Sequence, residues 1–298
     1  MLGATILILL QIADSHKAID SVKQLEQTLG FEQTANFLHH SDRAVADYRC
    51  YYTGKLELPI SYDGLELKDG GKDGCPEIDT RKYDVFFYPI EAVANGRAPV
   101  TESLASSSIE RLLVVVPHED FHEHQQVKKL PERISEAAST LIGFLTAAEA
   151  ARLQFGPGSP AYQNLSKEAE LFLRKAEMVN RHHESLSALY ESVRKRRVLQ
   201  MQALSLKREY FAGIEQQCSA MPRPSSFNRC LSANNNAGLA FDMTYTKYYP
   251  LLYEVFRAHA MDLKATVAAI QNAPSTDSER RAEEYFLSVI HGTSHVVQ

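Results

Sequence analysis

Hydrophobic positions in the first fifty residues recur mostly at the spacing of an α-helix. Residues 14–49 follow this period, and Gly30 divides them, since glycine is favoured just beyond a helix end. The pattern predicts two short scaffold helices. Residues 2–12 are apolar, too short to cross a bilayer, and lack the basic start of a complete signal peptide. They are a signal remnant, a clipped membrane anchor or an apolar helix start, so membrane association is one expectation.

The pattern changes to alternation after residue 55. Residues 56–60 alternate apolar and polar side chains, residues 62–64 suit a turn, and residues 65–67 resume the alternation. This predicts a β-hairpin. Tyr83–Tyr88, rich in aromatic residues, predicts a further strand, and Pro89 marks the return to irregular chain.

Strand signals nearly vanish beyond about residue 106. Residues 167–214 keep a helical period without proline, and without glycine before Gly213, which predicts one or two long helices. Two further helical segments follow, at residues 233–249 and 251–270. A polar break then precedes a final helix.

Size and composition suit a globular α+β protein. The 298 residues, 44% of them hydrophobic, can fill a sizeable core. We expect N-terminal helices and a small sheet in residues 1–105 and a helical region in residues 106–298, together forming one compact unit. The net charge of −5 argues against a nucleic-acid partner. No phosphate-binding loop or G-x-S-x-G motif occurs, so nucleotide and serine-hydrolase chemistry has no support.

The four cysteines fall into two local pairs. Cys50 and Cys75 flank the predicted hairpin, and Cys218 and Cys230 flank a turn-rich stretch. Both pairs can form disulfides in an oxidising compartment. The alternative is four separate buried thiols in a cytosolic protein. No C-x-x-C spacing is present, so a thiolate zinc site is not expected.

One short motif carries metal chemistry. Residues 118–122 read HEDFH and match H-E-x-x-H. Residues four apart lie on one helix face, so His118 and His122 can share a Zn²⁺ ion, while Glu119 can take a proton from water as general base. Two neighbours count against the motif. Pro117 would cost a hydrogen bond inside a helix, and Asp120 is charged where zinc peptidases usually carry an uncharged residue.

A catalytic zinc site needs a third protein ligand. A proline ends the first helix, and a second helix begins near Glu132. Glu136 follows His122 at a distance that allows a short loop and a returning helix, and the small residues 137–139 would let the helices approach closely. Glu132 lies against the proline turn and Glu149 lies more than three turns further along, so both are weaker candidates. A solvated helix carboxylate is the alternative interpretation of Glu136.

Three blocks in order resemble a bacterial family described as predicted aminopeptidases, which are zinc-dependent and of the Glu-ligand zincin (gluzincin) type. That family carries H-E-x-x-H, then N-E-A-F-A-x-x-x-E, and later N-N-A-x-L-A followed by Tyr and Pro. The corresponding stretches here are residues 118–122, 135–144 and 227–256. Ser135 replaces the family's Asn and Asp120 replaces an apolar residue. The agreement covers about residues 106–270.

The resemblance implies a zincin-like fold and a zinc metallopeptidase that hydrolyses peptide bonds, with aminopeptidase action suggested by the family's description. It implies three metal ligands, His118, His122 and Glu136, with Glu119 as general base. It also implies that Asn235, Asn236 and Tyr245 lie near the site, the asparagines as substrate-binding residues and Tyr245 as a donor to the oxyanion. The apolar start and paired cysteines favour a bacterial periplasmic or envelope location over the cytoplasm.

The alternative hypothesis is a helical binding or scaffold protein on a zincin-like fold, with a structural or idle metal site. Pro117 and Asp120 motivate it, because both depart from what active zinc peptidases usually carry.

Under the peptidase hypothesis, a strand within residues 83–100 would pair with the substrate backbone, as edge strands can.

Overall fold

The chain folds as an α+β protein in which a small antiparallel sheet lies beside a larger helical assembly, which confirms the predicted fold class at this level. The structure is a computed structural model that describes residues 2–222 and 234–293. The strands are β1 (Asp47–Gly54), β2 (Glu66–Asp69) and β3 (Tyr83–Ile90). The helices are α1 (Leu2–Leu29), α2 (Glu102–Ala105), α3 (Ile109–His122), α4 (Glu132–Phe155), α5 (Pro160–Arg194), α6 (Gln200–Ala220), α7 (Asn236–Thr246), α8 (Tyr249–Ala258), α9 (Leu263–Gln271) and α10 (Glu279–Thr293).

The sheet has the order β2-β1-β3, with β1 in the centre and β3 at one edge. Tyr51 of β1 lies opposite Leu67 of β2 and Phe86 of β3. A disulfide joins Cys50 to Cys75 with their Cα atoms 5.6 Å apart, which ties β1 to the loop after β2. This confirms the first predicted pair. Cys218 is also disulfide-bonded, while Cys230 lies outside the described residues.

The predicted hairpin is wrong in its first strand. Residues 56–60 form no strand, and the partner of β2 is β1, which lies partly within the stretch predicted as helical. Leu56 and Leu58 instead pack against a cluster formed by α5, α6 and α7. Alternate apolar residues can enter a helical core from an irregular segment just as they can from a strand, so the period alone did not identify the structure. The turn at Tyr62–Gly64 is present as a short 3₁₀ turn.

The N-terminal helix ends where glycine predicted it. Gly30 has a φ of +87°, a conformation that favours glycine after a helix. The predicted second helix is wrong, because residues 31–46 are largely irregular and bond instead to residues 96–100. No helix in the described part of the chain has the length and apolar character to span a bilayer. Membrane association through residues 2–12 stays a prediction.

Helices α3 and α4 pack against each other as an antiparallel pair. Gly143 of α4 lies so close to α3 that a Cβ there would stand 3.2 Å from both the His118 Cβ and the Val114 carbonyl oxygen. The predicted long helical stretch is two helices, α5 and α6. The predicted helix over residues 251–270 divides into α8 and α9, where Ala260 and Met261 have positive φ values of 55° and 62°.

The largest hydrophobic core runs across residue 105, where the sequence suggested a division. It combines Val22 of α1, Phe37 and Val100 of the irregular segments, and many side chains of α3, α4 and α8. Helices α3 and α4 lie at its centre. The residues that face each other across this helix pair are therefore held by packing on several sides.

Candidate metal centre

The predicted ligands converge where α3 meets α4. His118 and His122 lie on one face of α3, and Glu136 lies opposite them, in the second turn of α4. The two histidine Nε2 atoms are 3.3 Å apart. Glu136 Oε2 lies 3.5 Å from His118 Nε2 and 3.1 Å from His122 Nε2. Among the described residues, this is the group of histidine, cysteine or carboxylate side chains with the geometry to hold a metal ion.

The spacing of these three atoms fits tetrahedral zinc. Zn–N and Zn–O bonds of about 2.0–2.2 Å place neighbouring tetrahedral ligand atoms about 3.3–3.6 Å apart. The three distances, 3.1, 3.3 and 3.5 Å, are close to that range. Two imidazoles and one carboxylate are also a known donor set for catalytic zinc. The residues present therefore fit the metal.

Pro117 does not disturb this arrangement. It lies inside α3, which begins after the N-cap Ser108 and continues to His122. The proline removes the bond that its N–H would make to the Leu113 carbonyl, yet the helix holds on both sides of it. Both histidines still face Glu136, so the doubt that the sequence raised at Pro117 does not extend to the ligands.

His118, His122 and Glu136, here called the triad, influence one another's pKa values mainly through mutual attraction. Burial disfavours the Glu136 carboxylate, but His122 and His118 outweigh this effect and hold the pKa of Glu136 well below its usual range. Burial disfavours the charged form of His122, but Glu136 and Glu119 raise its pKa above the ordinary value. A metal ion would replace the proton that this pairing favours on His122, because histidine binds a metal as neutral imidazole.

Ser135 supports His122 from behind. Its Oγ lies 3.1 Å from His122 Nδ1, the ring nitrogen remote from the triad. When Nδ1 donates to that oxygen, Nε2 keeps its lone pair toward the triad, which is how outer-shell groups commonly orient a histidine ligand. Ser135 thus contacts a candidate metal ligand on the side away from the triad.

Glu119 lies beside the triad. Burial raises its pKa, while His118 and His122 act in the opposite direction without cancelling the shift. The backbone N–H of Ala94, in the segment after β3, lies near its carboxyl group and acts to lower its pKa. A carboxyl group with a raised pKa next to metal ligands suits a general base.

Tyr245 reaches the site from α7. Burial, followed by the charges of Glu136 and Glu119, raises its pKa well above the ordinary value. Its ring contacts Phe241, with 5.6 Å between ring centroids. The structure thus places Tyr245 among the site's charges, where its hydroxyl stays protonated and can donate.

Two further tyrosines, which the sequence did not single out, also line the site. Burial raises the pKa of Tyr88 of β3 to about 12, and Glu119 and Glu136 contribute to the shift. Burial also raises the pKa of Tyr62 far above its usual range, with Glu136 as the next contribution. No metal or peptidase motif includes these positions. Only the alternation of β3, which gives Phe86 and Tyr88 one face, could have suggested that Tyr88 is grouped with Phe86.

Asn235 and Asn236 connect α7 to the sheet. Asn235 caps α7, accepting from the Gly238 N–H at 3.0 Å and donating to the Val85 carbonyl at 3.0 Å. Asn236 is fully buried and donates to the Glu57 carbonyl at 2.8 Å. Both lie at the opposite end of α7 from Tyr245, about 13–15 Å away along the axis. Substrate binding by the asparagines stays a prediction.

The two other candidate carboxylates do not join the triad. Glu149 pairs with Arg152 on the outer side of α4. Glu132 lies one turn before Glu136 and accepts from the Tyr62 hydroxyl. Burial and a hydrogen bond with Asp63 raise the pKa of Glu132 to about 7. Glu132 therefore belongs to the rim of the site.

The three side chains of the triad are partly exposed to solvent, but they do not line either of the two cavities given below. The side chains of His118, His122 and Glu136 keep 17%, 16% and 14% of their surface exposed. Two cavities among the described residues, of about 890 and 970 Å³, are lined by other residues. Glu132 and Asp63 line the first of them, which places that cavity within one helical turn of Glu136.

Comparisons with protein-family models, curated proteins and solved structures found no match. The resemblance to aminopeptidases therefore stays a prediction. The functional conclusion depends on the geometry of the site itself.

Proposed function

We propose that this protein is a zinc-dependent peptidase with a zincin-like arrangement of helices, acting on peptides that have a free amino terminus. The observation that carries the proposal is the convergence of His118, His122 and Glu136 at zinc-ligand spacing, with Glu119 beside them. A structural zinc site would not require a carboxyl group with a raised pKa as a neighbour. The combination supports catalysis.

The side chains around the triad have separate roles in hydrolysis. Zinc, when bound by the three ligands, supplies Lewis-acid chemistry and lowers the pKa of water. Glu119 accepts the proton of the water that attacks the peptide carbonyl and transfers it to the leaving nitrogen. Tyr245, held protonated by its surroundings, donates a hydrogen bond to the carbonyl oxygen as negative charge develops there.

The edge strand β3 supports a peptide as substrate. It pairs with β1 on one side only, and its residue Tyr88 lies near Glu119 and Glu136. An extended peptide can add to such an edge through main-chain hydrogen bonds. Phe241, which contacts Phe86, Tyr88 and Tyr245, provides an apolar wall beside it.

The preference for a free amino terminus is supported by Glu132 and Asp63. These two carboxyl groups share a hydrogen bond at the rim of the site, one helical turn from Glu136. Two neighbouring carboxyl groups offer negative charge and hydrogen-bond acceptors to an ammonium group. Carboxylates at this position would favour a peptide whose chain begins there.

The first experiment measures zinc and hydrolysis in the purified protein. We expect about one zinc ion per chain and hydrolysis of short peptides that a chelator abolishes. Glu119→Gln should keep the zinc and lower kcat by about 100-fold or more, because the base is lost. Glu110→Gln, in the first turn of the same helix, is the matched control and should keep full activity.

Each alternative has its own result. A protein without stoichiometric zinc would end the proposal. Zinc bound without turnover on a broad peptide library would favour the scaffold hypothesis, in which the metal site is idle. Full activity in Glu119→Gln would show that another group is the base.

The second experiment tests the amino-terminal preference. Paired peptides that differ only in acetylation of the amino terminus should show faster hydrolysis of the free form. Glu132→Gln should raise KM for the free peptide by about tenfold, because a charged hydrogen bond is lost, and leave the acetylated peptide unchanged. Equal hydrolysis of both peptides by the wild-type protein would indicate endopeptidase action. Glu149→Gln serves as the control.

A further inference from the structure

Asp120 lies between the two histidines in sequence but faces away from them in space. Its side chain is 1% exposed. One oxygen accepts from Lys23 Nζ. The other accepts from Thr34 Oγ1 at 2.6 Å and from Asn36 Nδ2 at 3.0 Å. These partners belong to α1 and the segment after it, so Asp120 joins the metal-binding helix to the N-terminal region.

Asn36 carries this connection further. It is fully buried, and while its Nδ2 donates to Asp120, its Oδ1 accepts from the Ala98 N–H at 2.7 Å. Next to it, the Ala35 N–H donates to the Gly96 carbonyl at 2.8 Å. Asn36 therefore forms hydrogen bonds both to Asp120 and to the segment between β3 and α2.

That segment also contacts Glu119. The Ala94 N–H, four residues before Ala98, lies near the Glu119 carboxyl group and acts to lower its pKa. Between them Gly96 turns the chain with a φ of +78°, a conformation that favours glycine. A series of contacts thus runs from Asp120 through Asn36 and residues 94–98 to Glu119, the residue next to Asp120 in α3.

We propose that Asp120 is a positioning residue for Glu119, acting through Asn36 and the segment from Ala94 to Ala98. The inference rests on the proposed function, because it takes Glu119 as the base. Consecutive helix residues point about 100° apart, so bonds at both positions oppose rotation of α3 about its axis. They also hold the Ala94 amide at the Glu119 carboxylate. A misplacement of about 1 Å in a catalytic group costs on the order of 100-fold in rate.

The same contacts account for a charge at position 120. An apolar side chain there would remove the carboxylate that forms a salt bridge with the Lys23 ammonium, which is 13% exposed. It would also leave the Thr34 hydroxyl and the Asn36 amide without the acceptor that they use. Buried polar groups that lose a partner are costly, so Asp120 forms one unit with Lys23, Thr34, Asn36 and the buried Glu26, whose pKa is raised by burial and by Asp120.

The test uses the full-length zinc-loaded protein and three variants: Asp120→Asn, Asn36→Asp, and the double exchange. In Asp120→Asn an NH2 group replaces one carboxylate oxygen and faces a donor, Lys23 or Asn36. The negative charge is lost in either orientation, so the hydrogen bond from Asn36 is weakened. We expect kcat to fall by about 100-fold, with KM and zinc affinity within about twofold of wild type. In the double exchange, the new amide at position 120 can donate to the new carboxylate at position 36. The second oxygen of that carboxylate still accepts from the Ala98 N–H, so kcat should recover at least about tenfold over Asp120→Asn.

A second readout does not depend on activity. Hydrogen exchange at the Ala94 amide should be at least about tenfold faster in Asp120→Asn than in wild type, and should slow again in the double exchange. Asp262→Ala, which removes the N-cap of α9, is the control for general loss of stability. It should change neither kcat nor exchange at Ala94.

Several results would overturn the inference. They are unchanged kcat and unchanged exchange in a folded Asp120→Asn protein, no recovery in the double exchange, or an equal loss of kcat in Asp262→Ala. If the wild-type protein hydrolyses no peptide, the proposed function fails on its own. Exchange at Ala94 then still decides whether Asp120 positions this segment.

Discussion

The triad between α3 and α4 and the N-terminus of α7 use polar side chains in opposite ways. At the triad, His118, His122 and Glu136 direct their atoms at one another, with spacings of 3.1–3.5 Å that suit a shared cation. At α7, Asn236 directs every amide atom at the protein, with Oδ1 accepting from the Tyr190 hydroxyl at 2.8 Å and Nδ2 donating to backbone carbonyls.

The resemblance to aminopeptidases placed residues of both regions at the site, but their polar side chains are arranged differently. Nitrogen and oxygen atoms that converge on one point suit a shared cation. An amide whose partners all lie in the protein stabilises the fold instead. The predictions below treat the first region as the metal site and the second as a structural connection.

The largest effect is expected from a metal ligand. His122→Ala should lower zinc affinity by more than about 100-fold, because loss of a ligand costs more than loss of its supporting group. Zinc titration with a competing chelator measures it. His124→Ala is the matched control, since His124 lies beyond the end of α3 and its Nε2 is 3.7 Å from Glu32. Equal losses of zinc affinity in His122→Ala and His124→Ala would contradict the assignment of the triad as the metal site.

Tyr245 tests the end of α7 that reaches the candidate metal site. Tyr245→Phe should lower kcat by about 100-fold, because a hydrogen bond to the developing negative charge is lost. Zinc affinity and thermal stability should stay near the wild-type values. Steady-state kinetics with the same peptides provides the measurement. An unchanged kcat would make Tyr245 a structural residue.

Asn236 tests the structural end of α7. Asn236→Ala should lower the free energy of unfolding by about 3 kcal/mol, because buried carbonyls and the Tyr190 hydroxyl lose their partner. Zinc affinity should not change. Urea unfolding together with zinc titration measures both quantities. The exposed neighbour Asn234 is the control, and Asn234→Ala should stay within about 0.5 kcal/mol. A stable Asn236→Ala protein with a raised KM would instead support substrate binding.

Ser135 should give the smallest effect. Ser135→Ala removes the contact with His122 Nδ1 and should lower zinc affinity by about tenfold. Ser139→Ala, buried on the next turn of α4, is the matched control and should leave the affinity unchanged. Zinc competition titration decides the outcome. If both serines have the same effect, Ser135 acts through packing rather than through the histidine.

Local spacing made the histidine pair predictable. Residues four apart share a helix face whatever surrounds the helix, so His118, Glu119 and His122 could be assigned to one side of α3. The proline turn and the small residues after Glu136 indicated the returning helix for the same local reason. Strand β3 was predictable because its aromatic run favours a strand in many environments.

Contacts between distant segments were not predictable in this way. The partner of β2 was misassigned, since residues 56–60 and 47–54 both carry apolar side chains and only packing on the helices decided between them. Tyr62 and Tyr88 reach the site from segments that no motif connects to it.

Asp120 shows the division most clearly. The sequence by itself determined the helical spacing that brings two histidines to one face, and it marked Asp120 as a departure within that motif. Only the tertiary structure decided that Asp120 faces Lys23, Thr34 and Asn36 rather than the metal site. The physical reason is that helix geometry is set by neighbouring residues, whereas the surroundings of each helix face are set by segments far away in the chain.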